Sequence, residues 1–192
     1  MPAPVTYIDQ WQVLEILGRG DFATVLKVRH RDADFALKLC ASANSSALER
    51  IVLEESALQQ LDHPYIPKLI DNGRHEERPY IVMSLGHGAT LRSEFERLAR
   101  LGAVHGDIAA MNILARLLAA VAHVHEHDLV HRDIKDANVM ATPSGDLLTL
   151  IDFGFCKPVG VSELRSPDSF WRAGAARYSP PSKLADPSAP GA

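Results

Sequence analysis

His131-Arg132-Asp133-Ile134-Lys135-Asp136-Ala137-Asn138 is the stretch whose reading decides the fold of this 192-residue chain. Fourteen residues beyond Asn138 stands a second short motif, Asp152-Phe153-Gly154. Between them, Pro143-Ser144-Gly145-Asp146 has the residue types of a tight turn, each suited to a bent backbone. The run 147–151 (LLTLI) reads as a buried strand that delivers Asp152 at its end. Either motif alone would pass as a polar turn or a strand end. The two in this order and at this separation are a specific signal.

Together they match H-R-D-x-x-x-x-N and D-F-G, and the chain resembles the eukaryotic-like serine/threonine protein kinase family. Phosphoryl transfer needs a nucleophile aimed at phosphorus and cations that neutralise charge on the phosphate oxygens. The resemblance implies that Asp133 orients a substrate hydroxyl and accepts its proton. It implies that Asn138 holds one Mg²⁺ and that Asp152 chelates Mg²⁺ bridging the phosphates. Such an ion takes few carboxylates and fills its shell with waters and phosphate oxygens, which this set allows. Lys135 resembles the lysine that serine/threonine kinases place on the γ-phosphate, which favours Ser/Thr over Tyr.

Composition sets outer bounds. Apolar residues make up 46% of the chain, enough for a core, and charged residues 23%. A net charge of −4 gives no sign of a nucleic-acid partner. Cys40 and Cys156 are the only cysteines and have no metal-ligand spacing, which fits a reducing, cytoplasmic setting. No basic-then-apolar leader opens the sequence and no unbroken apolar run reaches about eighteen residues, so neither a secretory signal nor a membrane segment is expected.

Residues 7–39 break into short apolar runs and read as three strands, with 11–17 (WQVLEIL) alternating at period two. Gly18-Arg19-Gly20-Asp21-Phe22-Ala23-Thr24-Val25 resembles the kinase glycine-rich loop, in which bare backbone approaches phosphates. Ala23 stands where the family has a third glycine, which predicts weaker or altered phosphate closure. Phe35-Ala36-Leu37-Lys38-Leu39 resembles the V-A-I-K strand. By resemblance Lys38 reaches the α- and β-phosphates, Val25 and Ala36 sandwich the adenine, and Leu17, Gly18, Gly20 and Met140 complete the ATP site.

A helix is predicted over 47–61, opened by a Ser46/Glu49 capping box, with Leu48, Ile51, Val52, Leu58 and Leu61 on its apolar side. Counting back from His63-Pro64 puts the family's helix glutamate at Glu54, which should pair with Lys38; Glu55 is then an ordinary surface charge. Residues 66–71 and 79–83 read as two further strands, with Glu76-Glu77-Arg78 as the turn. Met83 falls at the gatekeeper position, and Ser84-Leu85-Gly86 at the hinge whose backbone binds the adenine edge.

Residues 91–101 predict a short amphipathic helix with Leu91, Phe95, Leu98 and Leu101 on one side. His105-Gly106-Asp107-Ile108-Ala109-Ala110-Met111-Asn112 then repeats the spacing of the opening motif. It looks like the H-G-D-x-x-x-x-N loop of small-molecule kinases such as aminoglycoside phosphotransferases. The favoured reading makes Asp107 the cap of a helix from 108 to about 127, with Ile108, Met111, Leu114, Leu118, Val121 and Val124 as its buried stripe. His123 and His127 share a face of that helix, but no third ligand is evident, and a structural role is expected.

After Gly154 the chain resembles an activation segment, with Ser162, Ser166 and Ser169 as candidate phosphate acceptors. Residues 174–182 resemble G-T-x-x-Y-x-A-P-E, with Ala175 for the threonine and Ser182 for the glutamate, departures that put full activity in doubt. The family's further large-lobe helices are not found before residue 192, so apolar surface should be exposed around Leu117, Leu118 and Val121.

The expected fold is α+β: a two-lobed, kinase-like architecture with a β-rich small lobe at 1–85 and an incomplete, mainly helical large lobe at 86–192. The expected activity is transfer of the ATP γ-phosphate to Ser/Thr hydroxyls of proteins, with ATP and Mg²⁺ (Mn²⁺ as the substitute ion). Two rivals are a kinase-like scaffold without turnover and a small-molecule phosphotransferase using Asp107. Expected partners are a protein substrate and a second copy or partner chain covering the incomplete lobe.

Overall fold

The computed structural model describes residues 6–42, 45–101 and 107–159. Four strands open it where the sequence predicts three. A two-residue edge strand, β1 (Tyr7–Ile8), pairs with the start of β2 (Trp11–Arg19). β3 (Ala23–His30) and β4 (Ala33–Cys40) follow, then helix α1 (Ser45–Gln60), β5 (Leu69–His75) and β6 (Arg78–Ser84). All six strands form one antiparallel sheet in the order β1-β2-β3-β4-β6-β5.

Strand alternation sorts this sheet into two cores, because successive side chains point to opposite faces. Trp11, Leu26, Val28, Leu37, Leu39, Tyr80 and Val82 pack on one face. Ala36, Cys40, Ile81 and Met83 lie on the other and meet Ala47, Ile51, Ala57 and Leu58 of α1. Lys38, between Ala36 and Cys40 on β4, is thereby aimed at α1. The helix starts two residues earlier than predicted, which puts Ser46 inside its first turn. Val52, predicted to be buried, is 57% exposed, because the sheet takes the face of Ile51 and Leu58 instead. β5 starts three residues later than predicted, at Leu69.

The β5–β6 hairpin turns on Glu76 and Glu77, both with positive φ (47° and 63°). Two left-handed residues in a two-residue loop fit a type I′ turn, which favours Asn-Gly. Left-handed backbone costs a residue with a β-carbon roughly 1–2 kcal/mol. The replacement Glu76→Asn/Glu77→Gly should therefore raise stability by about 1 kcal/mol after the added unfolded-state entropy of glycine is subtracted. An unchanged urea midpoint would show that the turn is not strained.

The helical portion follows. A short strand β7 (Ala89–Thr90) leads into α2 (Leu91–Leu101), and α3 spans Asp107–Glu126. β8 (Leu129–Val130), a 3₁₀ turn at Asp136–Asn138, β9 (Val139–Ala141), β10 (Leu148–Leu150) and β11 (Lys157–Pro158) complete the described chain. β10, β9 and β7 form one small sheet, and β11 pairs with β8 in another.

α3 sits rotated from its predicted face, whereas α2 turns Leu91 and Leu98 inward as predicted and departs at Phe95. In α2 Glu94 is buried at 7% and takes a two-pronged contact from Arg97, at 2.7 Å on each oxygen, whereas Phe95 is half exposed. In α3 the buried residues are Ile113, Ala120 and Val124. Ile108, Met111 and Leu114, predicted to be buried, are 79%, 65% and 48% exposed, and Leu118, which the sequence places both on the buried stripe and at exposed surface, is 59% exposed. Leu117, expected at exposed surface, packs against the core, and so does Val121, which the sequence likewise places both on the buried stripe and at exposed surface. α3 carries apolar residues on two faces, and contact with β8 and β10 selects one of them. The sequence shows no apolar run of spanning length, yet α3 is long and apolar enough, by length and composition, to cross a membrane. Asn112, Arg116 and His123 interrupt its apolar character.

Candidate active site

The site lies where α1, β4 and the two opening motifs converge. Lys38 Nζ donates to Glu54 Oε2 at 2.5 Å and to Asp152 Oδ1 at 2.7 Å. The other Glu54 oxygen accepts the Phe153 N–H at 3.3 Å. Glu54 is 1% exposed, so Lys38 is the cation that makes its burial tolerable. Glu55 faces away and bonds Asn72 and Gln59. Burial by itself would lower the Lys38 ammonium, but the two carboxylates outweigh it and hold Lys38 well above its ordinary range. Burial pushes Asp152 up, and Lys38 more than reverses this, so Asp152 stays below the usual carboxylate value.

The second cluster belongs to the loop between β8 and β9. Asp133 is 3% exposed. Its Oδ2 accepts from Lys135 Nζ at 2.6 Å and from Asn138 Nδ2 at 2.8 Å. Asn138 Nδ2 also reaches the Asp133 carbonyl at 2.9 Å. These contacts fix the Asn138 amide, so its Oδ1 is the atom left to meet a cation. They also leave Asp133 Oδ1 as the oxygen that can take a proton. Arg92 clamps the loop from α2 through Asp136, at 2.9 Å.

His131 holds the loop from within. Its Nδ1 accepts the Asp133 N–H at 3.3 Å, which leaves Nε2 to donate to the Ile151 carbonyl at 3.2 Å. Its ring meets Phe153 edge-on at 4.6 Å. Arg132 and Asp152 adopt left-handed backbone, with φ of 66° and 67°. Each costs energy for a residue with a β-carbon, and both sit beside a site carboxylate.

The residues predicted to face nucleotide are placed by strand register. Gly18 pairs with Val25, which pairs with Lys38, so three predicted site residues share adjacent rungs. Leu17 is the extra residue of a bulge between Ile16 and Gly18 and is half exposed. A β-carbon on Gly18 would meet nothing within 4 Å, and one on Gly20 only the Ala23 carbonyl at 3.7 Å. The fold itself does not demand glycine here, which leaves room above the loop for a ligand. Ala36 pairs with Met83, and Phe35 with Ser84. Ser84 spends its N–H and its hydroxyl on Lys68, so an adenine contact at Ser84 falls to the carbonyl. At Gly86 a β-carbon would lie 2.5 Å from the Met140 sulfur, so glycine lets Met140 pack under the hinge.

Other candidates separate from this cluster. Asp107 is exposed in the first turn of α3 and does not join it. His123 stacks on His63 at 5.0 Å and meets His127 at 4.3 Å, a packing role. Among the described residues no group of three His, Cys, Asp or Glu could hold a metal ion. Asn138 and Asp152 as two ligands still suit an ion that keeps waters and phosphate oxygens. Ser162, Ser166, Ser169, Ala175 and Ser182 lie outside the described residues. Sequence reading missed Arg50, one helical turn before Glu54, whose guanidinium lies against Phe22 and Phe155. The four-residue spacing from Glu54 was the available signal.

The family model of the protein kinase domain matches residues 11–189. The chain belongs to that family. It is similar to a probable serine/threonine-protein kinase PknB of Lactococcus lactis subsp. lactis (strain IL1403), 29% identical over 181 residues, covering 91% of this chain and 28% of that protein. It is similar to a cGMP-dependent protein kinase of Toxoplasma gondii, 34% identical over 152 residues, covering 76% of this chain and 15% of that protein. It is also similar to the serine/threonine-protein kinase PrkC of Bacillus subtilis (strain 168), 28% identical over 165 residues, covering 83% of this chain and 25% of that protein. This kinase domain thus spans under a third of the length of these relatives.

Two histidines of the domain tie its stability to pH. Burial holds the His131 imidazole below its ordinary value of 6.5. Burial and then neighbouring His123 do the same to His63, against a smaller opposing pull from Glu126. The unfolded chain therefore takes up these protons first. Stability is full above about pH 6.5 and falls as the pH drops below it. Urea midpoints should decline from about pH 7.5 to about pH 5.5; a flat profile would mean that both rings titrate normally in the fold.

Proposed function

We propose that this kinase domain transfers the γ-phosphate of ATP to serine or threonine hydroxyls of protein substrates. The observation that carries this is the pair of clusters just described: Lys38 locked between Glu54 and Asp152, and Asp133 held by Lys135 and Asn138 with one carboxylate oxygen to spare. Lys38 would bind the α- and β-phosphates while Glu54 keeps it in place. Asp133 Oδ1 would take the proton of the acceptor hydroxyl as its oxygen bonds to the γ-phosphorus and the bond to the β-phosphate bridging oxygen breaks, releasing ADP. Lys135 would follow the transferred group and offset its charge. Asp152 and the Oδ1 of Asn138 would hold Mg²⁺, which when bound neutralises phosphate charge. Val25, Ala36, Met83, Gly86 and Met140 would enclose the adenine.

The rest of the proposal concerns setting and partners. Cys40 and Cys156 are buried free thiols, which supports a reducing, cytoplasmic compartment. The exposed stripe Ile108, Met111, Leu114 and Leu118 supports a further chain segment, a second copy or a partner chain covering α3.

The test is transfer of labelled γ-phosphate from ATP with Mg²⁺ by the purified chain, alone and with a generic protein substrate, beside Asp152→Ala. Label that depends on Asp152 is the expected result. A folded chain that binds nucleotide and transfers no label would overturn the proposal in favour of a binding module.

A further inference from the structure

Arg50 has no part in the chemistry just described, yet from α1 it touches two other elements of the site. Its guanidinium carbon lies 3.7 Å from the centroid of the Phe22 ring and 3.7 Å from that of the Phe155 ring. Phe22 belongs to the glycine-rich loop, and Phe155 follows Asp152-Phe153-Gly154 directly. A flat cation between two rings offers each its face, the geometry in which guanidinium and aromatic groups attract.

The surroundings make this arrangement firm. Arg50 stands four residues before Glu54, on the same side of α1. That one helix edge therefore holds the Asp152 segment twice, through Glu54 to the Phe153 N–H and through Arg50 to Phe155. The backbones are close as well: a β-carbon on Gly154 would touch Arg50 Cβ at 3.5 Å and its carbonyl at 3.6 Å. On the other side, the Phe22 carbonyl accepts the Ala41 N–H at 2.9 Å, which ties the loop's backbone to the end of β4. Gly18 and Gly20 give the loop no packing of this kind. Besides the strand pairing of Ala23 and Thr24 with Cys40 and Leu39, the loop's side-chain contact with α1 is that of Phe22 with Arg50.

We propose that Arg50 is a positioning residue that clasps the glycine-rich loop and the segment after Asp152 to α1, so that the loop closes over nucleotide only when Asp152 is in place. The consequence for the reaction rests on the kinase reading above; the mechanical coupling does not. Moving Phe155 away exposes one face of the guanidinium and loosens the other contact, so a disturbance on either side is felt on the far side.

The experiment is hydrogen exchange on the whole chain, with Arg50→Met, Arg50→Lys, Phe22→Leu and Phe155→Leu. Arg50→Met should speed exchange several-fold both in residues 20–24 and in 153–157. Phe155→Leu should speed exchange in 20–24, and Phe22→Leu in 153–157; Arg50→Lys should recover part of the protection. In kinetics, Arg50→Met should raise the KM for ATP by roughly tenfold with a smaller change in kcat, and adding Phe155→Leu to Arg50→Met should change KM little further. Exchange that changes only at the mutated segment, or kinetic effects that simply add, would overturn the clasp. Coupled exchange in a chain that transfers no phosphate would support the clasp and sink the proposed activity; phosphate transfer with uncoupled exchange would do the reverse.

Discussion

Asp133→Asn should cut phosphoryl transfer by about 10²–10⁴-fold, the range expected when a general base is removed. The substitution keeps an oxygen where Lys135 and Asn138 donate, at 2.6 and 2.8 Å, so the loop should hold its shape. The carboxylate charge that pairs with Lys135 is lost, and an amide NH₂ takes the place of the proton-accepting oxygen. Far-UV circular dichroism and the unfolding midpoint should stay near those of the parent, while kcat/KM falls. Asp107→Asn is the paired control, since Asp107 sits in the same motif spacing but on the exposed start of α3. It should leave the rate unchanged. A reversed pattern would transfer the chemistry to the small-molecule-kinase reading and retire the present one.

Lys38→Met should be costly in a different way. It leaves Glu54, 1% exposed, without its cation, and stranding one member of a buried pair typically costs about 3–5 kcal/mol. Phosphate transfer should be lost as well, because Lys38 also bonds Asp152. The two losses can be separated. Adding Glu54→Leu to Lys38→Met replaces the stranded carboxylate with an apolar group and should recover most of the stability, but none of the activity. Acid should also relieve the single mutant, because burial pushes the Glu54 carboxyl up and protonation then removes the unpaired charge. Urea titrations of both variants at two pH values check this. A Lys38→Met protein as stable as its parent would mean that Glu54 is not relying on Lys38.

How far the sequence could be read depended on whether a segment had one way or two of burying itself. β4 and β6 had one. Strict alternation put Leu37, Leu39, Tyr80 and Val82 on one face and Ala36, Ile81 and Met83 on the other, and with them the direction of Lys38. α3 had two, a stripe through Ile108, Met111, Leu114 and Leu118 and another through Ile113, Ala120 and Val124. Periodicity scores both alike, and only the tertiary contact with β8 and β10 decides. Glu94 and Phe95 show the same limit, since a buried glutamate contradicts the simple rule until its contact with Arg97 is seen.

The two copies of the motif show why spacing is not structure. Asp107 and Asn112 are five apart, as are Asp133 and Asn138. Ala109, Ala110 and Met111 between the first pair favour helix, and helix is what forms. The second pair is held open by contacts from outside it: His131 to Ile151, Arg92 to Asp136 and Lys135 to Asp133. Lys135 is local, but Ile151 and Arg92 come from other elements, so no local window contains the whole set. Arg50 was hidden for the same reason, because Phe22 and Phe155 are remote from each other in the chain.

The bond between Lys38 and Asp152 joins residues 114 positions apart. On the ribosome this distance becomes time. The last strand of the main sheet ends at Ser84, and 68 further residues must be made before Asp152 exists. At about 5–20 residues per second, that is a wait of roughly 3–14 seconds. For that interval Lys38 has only Glu54, and the nascent chain carries a finished sheet and an unfinished site.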